Sequence, residues 1–331
     1  LTLGKIWQGR YRVMTISLDH FKATISGEHV IDAGARSTLP IPGDRLLFQA
    51  DFERDGQDLL LLNDAEQPIR ILNYFAADKP PSLMGPSGGI LDGATVTKLA
   101  GPELAGQYAQ TTAGNGTATA AIGQVETVSG TATVQRADGT VEPLGLGTKV
   151  FQNDVVQTQA GSNLSLTFVD GTIFTLSASS RMVLDELIYD PSSDSNSGAF
   201  NLVEGTFVFI AGQVAKTGGM EVKTPSATMG IRGTTVQVDI VTSNGVTTVE
   251  VSLVRDPDGD IGEFTITRLD GTVIADVTSV DSKWIITPDD ATTREVLKST
   301  EELANDQILI TRAVSAFQNA VQRVVDGGQF V

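Results

Sequence analysis

The sequence contains no cysteine. This absence excludes disulfide bonds, thiolate chemistry and zinc sites built from cysteine. Histidine is nearly absent too, because only His20 and His29 occur, and their spacing does not match a pair of metal ligands one turn apart on a helix. We interpret both histidines as surface or core residues rather than as metal ligands or catalytic groups.

Positive charge is scarce. The chain has 23 Lys and Arg against 40 Asp and Glu, which gives a formal net charge of −17. A field of that sign repels nucleic acids and anionic membrane surfaces, so we expect neither as a partner. No apolar run approaches the roughly 20 residues of a membrane-spanning helix, and the first residues do not have the pattern of a signal peptide.

Sequence signatures of catalysis are also missing. No serine stands in a Gly-x-Ser-x-Gly motif, and the glycine-rich segments lack the Gly-Lys-Ser/Thr that binds phosphate. We therefore expect a protein that is not an enzyme. Aromatic residues make up only 6% of the chain, with Trp7 and Trp284 far apart, which disfavours a glycan-binding groove.

Short alternating runs of apolar and polar residues are abundant between residues 122 and 240. Examples are residues 131–135 and 164–168, which are separated by turn sequences such as Asp138-Gly139 and Asp170-Gly171. A period of two, interrupted by turns about every ten residues, is typical of a β-sandwich, a barrel or a solenoid. The fold class is therefore mainly β.

Composition divides the chain further. We predict a smaller β module over residues 1–100, a flexible linker of small and polar residues over 101–121, and a β-sandwich or solenoid-like domain over 122–240. A β extension follows over 241–286, where Asp270-Gly271 predicts a tight turn. Residues 287–331 switch to a helical period and are predicted to form an amphipathic helical segment.

The helical segment has recognisable start signals and one apolar stripe. Thr287 and Pro288 fit the beginning of a helix, and Ser299 with Glu302 fits a capping box. The stripe follows at spacings of four and three: Ile310, Val314, Phe317, Val321 and Val324. Such a stripe predicts either a helix docked on the β core or an interface for self-association or another protein.

Two local motifs are candidate sites. Asp256, Asp258 and Asp260 place carboxylates at alternate positions around a glycine, and carboxylate oxygens in a turn are what calcium requires. The alternative is an acidic hairpin turn without a metal, and no other cofactor is indicated.

The second motif is Thr224, Pro225, Gly230, Arg232 and Gly233. Its proline and glycines favour a tight corner of the β fold fixed by the arginine, and ligand binding by Arg232 is the alternative.

Five separated blocks resemble a FecR-type domain. They are residues 122–130, 147–158, 166–172, 202–206 and 224–234. The resemblance implies a β-rich, non-enzymatic module of the bacterial cell envelope. The name-giving members of that family relay signals from outer-membrane transporters to a sigma-factor system.

A second resemblance involves the N-terminal module. Residues 54–61 and 69–76 resemble the prefix of large Gram-negative biofilm adhesins exported by type 1 secretion, whose N-terminal region holds the protein at the outer membrane. In such adhesins a periplasmic protease cleaves a Thr-Ala-Ala-Gly-like linker. Here Thr119, Ala120 and Ala121 form the corresponding candidate processing linker, with Ile122 in place of the glycine.

Together these features predict a non-enzymatic structural or anchoring protein. We expect the N-terminal part of a large surface or biofilm-matrix adhesin, at the cell surface or outside a Gram-negative bacterium, that self-associates or binds another surface protein. The alternative is a periplasmic FecR-type sensor or regulatory module that binds an envelope protein. The two differ in their contacts, because a structural protein requires copy-to-copy contacts and a sensor requires one groove for a different protein.

Overall fold

The computed structural model describes residues 29–103, 120–193, 195–288 and 293–326, and it is mainly β, as predicted. Trp7 and His20 lie outside the described residues. The rest of the N-terminal module contains seven strands and two helices. These are β1 His29–Asp32, β2 Thr38–Pro40, α1 Asp44–Phe48, β3 Asp51–Asp55, β4 Asp58–Leu62, β5 Ile69–Leu72, β6 Ser82–Met84, β7 Ile90–Leu91 and α2 Gly93–Ala100.

The N-terminal module has two small sheets, with strand orders β1-β5-β4-β3 and β2-β6-β7. Alternate residues such as Leu59 and Leu61 on β4 and Ile69 and Ile71 on β5 are fully buried, because successive side chains of a strand point to opposite faces. Asp92 caps α2, since its side chain accepts a hydrogen bond from the Thr95 backbone at 2.7 Å.

The second and larger part contains seventeen strands and two helices. They are β8 Gly123–Ser129, β9 Ala132–Gln135, β10 Val141–Pro143, β11 Lys149–Val150, β12 Val155–Thr158, β13 Asn163–Phe168, β14 Ile173–Leu176, β15 Arg181–Ile188, β16 Ser197–Ile210, α3 Gln213–Lys216, β17 Met220–Lys223, β18 Ala227–Ile231, β19 Thr235–Ser243, β20 Val246–Val254, β21 Phe264–Arg268, β22 Val273–Val277, β23 Ser282–Ile286, β24 Arg294–Leu297 and α4 Thr300–Val325.

These strands form two sheets that share one strand. Sheet I has the order β11-β8-β13-β14-β16-β19-β20-β23-β24, and all its pairings are antiparallel. Sheet II has the order β10-β9-β12-β15-β16-β17-β18-β21-β22, in which only β16 and β17 run parallel. Strands β19 to β23 continue both sheets, so the predicted domain boundary at residue 240 falls inside β19.

The shared strand changes sheets at a glycine. Up to Glu204, β16 pairs with β15 in sheet II, and from Gly205 onward it pairs with β19 in sheet I. Gly205 has φ 100°, and a Cβ at this position would lie 2.5 Å from the Cα of Ser180. Only glycine therefore permits the bend that carries the strand from one sheet to the other.

The core lies between the two sheets and is centred on aromatic side chains. Phe174 stacks on Phe209 with ring centroids 4.8 Å apart, and Phe168 meets Phe200 edge-on at 5.1 Å. All four rings are buried, and they come from β13, β14 and both halves of β16. The period-two pattern of the sequence thus supplies one inward face for each sheet.

Three hairpins of this sandwich share the sequence Asp-Gly-Thr and begin at Asp138, Asp170 and Asp270. In each, the aspartate carboxylate accepts a hydrogen bond from the threonine backbone NH, at 2.9, 3.0 and 2.8 Å respectively. The intervening glycines have φ of 84°, 83° and 90°. The turns predicted from these dipeptides are confirmed, and the reason is the aspartate bond together with the left-handed glycine.

The N-terminal module packs on the outer face of sheet II. Val155, Val183 and Val203 of the sandwich belong to the same buried cluster as the core of the module. Arg181, whose side chain is 5% exposed, donates hydrogen bonds to the carbonyl oxygens of Phe48 at 2.6 Å and Ala50 at 2.8 Å. The described parts of the two predicted modules therefore share a continuous buried interface.

The C-terminal segment differs from its prediction at the start. Residues 294–297 form β24 at the edge of sheet I, and the helix begins only at Thr300. Thr287 and Pro288 precede a strand, because the backbone of the following residues pairs with β23. The capping box is confirmed, since the Ser299 side chain accepts from the Glu302 NH and the Glu302 side chain accepts from the Ser299 NH.

Candidate interaction groove

A groove of about 760 Å³ lies at one end of the sandwich, beside α4. Its walls come from the end of β16, the turn between β20 and β21, and the C-terminal half of α4. The apolar residues that line the groove include Ile210, Ala211, Ile261, Phe317 and Val321. The groove therefore brings together two of the sequence-predicted sites, the acidic turn and the helical stripe, which are about 60 residues apart in the chain.

Asp170 fixes one wall of the groove. Its carboxylate is buried and accepts hydrogen bonds from the Thr172 hydroxyl at 2.7 Å and from the backbone NH of Val214 at 3.3 Å. The Asp170 carbonyl accepts a further bond from the NH of Gln213 at 2.9 Å. Because these donors satisfy the carboxylate, Asp170 holds α3 against the β13–β14 hairpin and is not a free ligand.

The opposite wall is acidic, and we call Asp256, Asp258 and Asp260 the acidic rim. Asp256 accepts a hydrogen bond from the Thr235 hydroxyl at 2.6 Å, and Asp258 accepts one from the Asp260 NH at 3.1 Å. Burial raises the pKa of Asp256 above its usual range, and the negative charges of Asp258 and Asp260 raise it further against the lowering effect of Thr235. The nearest cation in the turn, Arg255, donates to the Gly259 carbonyl at 3.4 Å.

Two of the three carboxylates of the acidic rim are turned toward different partners. Among the residues that the structure describes, no group of three or more His, Cys, Asp or Glu side chains is placed to hold a metal ion. The Asp256 carboxylate faces Thr235, whereas the Asp258 carboxylate closes its own turn. Calcium binding remains a prediction from spacing alone, and the hairpin turn between β20 and β21 is what the geometry supports.

Helix α4 lies across sheet I through small residues. Ala313, Ala316 and Ala320, which we call the alanine seam, are fully buried against Ile173, Val208 and Ile210. The ends of the helix are held by ion pairs from Glu302 to Lys283 and from Arg323 to Glu126. The alanine seam permits a close approach of the helix to the sheet.

The predicted stripe lies on the flank of α4, one residue along from the alanine seam. Ile310, Val314 and Phe317 are half-buried, and Val321 and Val324 are each 37% exposed. A shift of one residue rotates the stripe by about 100° around the helix. The side chains of Phe317 and Val321 consequently line the groove.

The motif of residues 224–234 is divided between three roles. Thr224 closes the β17–β18 turn by donating its hydroxyl to the Ala227 carbonyl at 2.8 Å, and the Pro225 carbonyl accepts from the NH of Ile90 in the N-terminal module at 2.9 Å. Gly230 lies within β18. Arg232 is exposed and pairs with Glu263 at 2.8 Å, and the neighbouring Gly233 lines the groove with φ 78°.

The candidate processing linker is described only in part. Thr119 lies outside the described residues, as do residues 104–118. Ala120 is exposed, and Ala121 is half-buried just before the buried Ile122 that precedes β8. Ile122 accepts a hydrogen bond from the Val169 NH at 3.0 Å and donates one to the Val150 carbonyl at 3.0 Å, so it belongs to the sandwich.

Sequence reasoning missed the remaining groove residues. Ile210 and Ala211 lie at the end of β16, whereas Ile261 lies in the turn between β20 and β21, so no spacing in the sequence links them. The one available signal was Asp170-Gly171, because its hairpin positions α3, but it was interpreted only as a turn. No helix in the described parts of the chain is both long and apolar enough to cross a membrane.

The matches to known proteins fall on the central strands. Residues 154–254 match the family model described as FecR protein, an interval that runs from just before β12 to the end of β20. No curated protein matches the chain. Two crystal structures of a candidate anti-sigma factor from Parabacteroides distasonis, at 1.65 and 2.50 Å resolution, are similar at 16% identity and a TM-score of 0.34. The match covers 45% of this chain and 62% of that one, so it spans less than two thirds of the solved protein.

The family match corrects one prediction. The expectation of a surface or biofilm-matrix adhesin exported by type 1 secretion is wrong, because the matched family is FecR. The adhesin resemblance depended on residues 54–61 and 69–76, which fall on β3, β4 and β5, three antiparallel strands of a small sheet, and on the turn after β5. Alternating hairpins of this kind occur in many β modules, so the pattern does not specify an adhesin. Residues 154–254 match the FecR family model, and they form the centre of a larger β-sandwich.

Proposed function

We propose that the chain is a non-enzymatic regulatory module of the bacterial cell envelope that acts by binding another envelope protein. The observation that supports this function best is the FecR match over residues 154–254, an interval that includes the groove residues Asp170, Ile210 and Gly233. The resemblance to FecR-type proteins implies that this module relays a signal through contacts with other proteins. A protein contact requires an accessible surface, and the groove supplies one.

The chemistry of the groove suits a protein partner. Ile261 is 41% exposed and Val321 is 37% exposed, and both stand beside the charged acidic rim. Exposed apolar residues that are rimmed by polar ones are typical of a protein interaction site. Small-molecule sites are more enclosed and bury most of their ligand, whereas this groove is open along one side.

Site-specific photocross-linking in the native bacterium tests the proposal. A photoreactive amino acid at position 261 should give one discrete adduct with another envelope protein. The matched control is position 30, because Val30 is 49% exposed but lies on β1 in the N-terminal module. Mass spectrometry of the adduct identifies the partner.

The outcomes are distinct. An adduct that forms from position 261 and not from position 30 supports a partner at the groove. Absence of any adduct at position 261, or equal adducts at both positions, contradicts the proposed function. Export of the tagged chain to the periplasm is checked in the same cells by fractionation, because the proposal places the module there.

A further inference from the structure

We propose that the groove binds a basic amphipathic helix of the partner protein, which packs beside α4 with its apolar stripe inward and its positive charges toward the acidic rim. This inference rests on the proposed function and adds the chemical class of the partner. Three independent features of the groove support it: the spacing of apolar residues on α4, the size of the groove, and its charge.

The spacing of apolar residues on α4 is that of a helix-packing surface. We define the flank stripe as Leu303, Ile310, Val314, Phe317 and Val321, which follow one another at intervals of seven, four, three and four residues. These are the intervals of a heptad repeat, in which side chains of one helix fit between those of another. A partner helix is therefore the element that matches this surface.

The flank stripe is partly available because the helix docks mainly through other residues, although Phe317 also packs partly against the buried cluster of the alanine seam. The alanine seam occupies the face of α4 that contacts sheet I, about 100° away from the flank stripe. Leu303 is 48% exposed and Val321 is 37% exposed, although both are large apolar residues. Leucine and valine side chains that are left in water are stabilised when a second apolar surface covers them.

The size of the groove fits a helical segment. An α-helix is about 10 Å across and rises about 5.4 Å per turn, so one turn occupies roughly 420 Å³. The groove of about 760 Å³ is larger than one such turn. Contacts along the flank stripe beyond the groove, toward Leu303, would extend the interface over further turns.

Charge complementarity selects a basic partner. Within the described residues, the acidic rim makes no ion pair, and Lys216 is the only cation among the residues that line the groove. The Arg255 guanidinium lies in the same turn, where it donates to the Gly259 carbonyl at 3.4 Å rather than to a carboxylate of the rim. Lysines or arginines on the edges of a partner helix would lie opposite these carboxylates. A second copy of this chain is a poor occupant, because each copy has a net charge of −17 and α4 offers few positive residues.

Fluorescently labelled synthetic helices provide the test with the full chain. The first probe has leucine at the a and d positions and lysine at e and g over three heptads. The second replaces lysine by glutamate, and the third has the composition of the first in scrambled order. Fluorescence anisotropy should show the first probe binding at least about ten-fold more tightly than either control, because only it combines the apolar stripe with positive charge.

Variants of the chain locate the binding site. Neutralising the acidic rim with Asp256→Asn, Asp258→Asn and Asp260→Asn should weaken binding of the first probe about ten-fold. A matched control neutralises three exposed aspartates elsewhere and should leave the affinity unchanged; it consists of Asp64→Asn, Asp78→Asn and Asp281→Asn.

Substitutions in α4 separate binding from folding. Val321→Asp should abolish binding without lowering the melting temperature of the sandwich, because Val321 is outside the alanine seam. Asn319→Asp adds the same charge at an exposed position on the other side of α4 and should bind normally. If Val321→Asp lowers the melting temperature, the acidic-rim variant supplies the decisive comparison.

Several results would overturn the inference. These are equal binding of the scrambled probe, binding that the acidic-rim variant does not alter, or equal losses in the acidic-rim variant and its control. The proposed function is judged separately, by photocross-linking. If position 261 gives a specific protein adduct while the basic helix does not bind, the regulatory function stands and the helical partner is rejected.

Discussion

Arg181 is the residue whose removal should affect this fold most. Its guanidinium bonds the carbonyl oxygens of Phe48 and Ala50 in the N-terminal module and pairs with Glu204 on β16 at 2.9 Å. The side chain is 5% exposed, and that of Glu204 is 14% exposed. Burial raises the pKa of Glu204 although the positive charge of Arg181 lowers it, which shows how strongly this carboxylate is desolvated.

The expected cost follows from what Arg181→Met leaves behind. Breaking a buried ion pair by removing one partner costs about 3–5 kcal/mol, because the remaining charge stays desolvated. The carbonyl oxygens of Phe48 and Ala50 also lose their donors, at about 1 kcal/mol each or more. We expect a loss of about 5 kcal/mol in the free energy of unfolding, and a fall in melting temperature on the order of 10 °C for a chain of this size.

Urea denaturation of the full chain measures this loss. The control is Arg232→Met, since Arg232 pairs with Glu263 at 2.8 Å but its side chain is 57% exposed. An exposed pair contributes about 0–1 kcal/mol, so the control should unfold close to the wild type. The double variant Arg181→Met, Glu204→Leu removes both charges and should recover part of the loss, leaving about 2 kcal/mol from the two carbonyls.

Two results would refute this reasoning. A loss below about 1 kcal/mol for Arg181→Met would show that water or neighbouring groups replace the guanidinium. A double variant as unstable as the single one would show that the stranded charge of Glu204 is not the cause.

Three further predictions concern the strand bend, the acidic rim and the helix seam. Gly205→Ala should lower the free energy of unfolding by about 3 kcal/mol or more, because of the φ of 100° and the clash with Ser180. Gly230→Ala has open space around its Cβ position and should change that free energy by no more than about 0.5 kcal/mol, and thermal unfolding compares the two variants. Burial raises the pKa of Asp256 above its usual value of 3.8, so the stability that the protonated side chain contributes is present below pH 3.8 and is lost as the pH rises through the raised pKa. Asp256→Asn should abolish that loss in melting curves recorded across this range. Ala316→Leu should overpack the fully buried seam, cost about 1–3 kcal/mol and speed amide exchange in α4, and unchanged exchange would contradict the packing.

The features that the sequence predicts correctly are local ones. The Asp-Gly turns at 138, 170 and 270 and the capping box of Ser299 and Glu302 each depend on residues within a few positions of one another. Their geometry is set by backbone dihedrals and short-range hydrogen bonds, so no long-range contact is needed to predict them. The mainly β class follows from the period of two for the same reason.

The groove could not be predicted in this way. Ile210, Ile261 and Phe317 come within reach of one another only because two nine-stranded sheets and α4 converge at one end of the sandwich. The alanine seam was not predicted, because alanine favours a helix at exposed and buried positions and the larger apolar residues one position along give the stronger hydrophobic pattern. The start of the helix was placed too early because Thr287 and Pro288 favour a helix locally, whereas pairing with β23 places the next residues in a strand.

The passage of β16 through both sheets couples the unfolding of one sheet to that of the other. A strand at the rim of a sheet can fray, but β16 has neighbours on both sides over most of its length: β15 and β17 before the bend, then β14 and β19 after it. One sheet therefore cannot unfold while the other stays folded, because both sheets include β16. The sandwich should behave as one cooperative unit. The interval matched by the FecR model runs only from Asp154 to Val254, so excising it would leave behind β8 to β11 as well as β21 to β24.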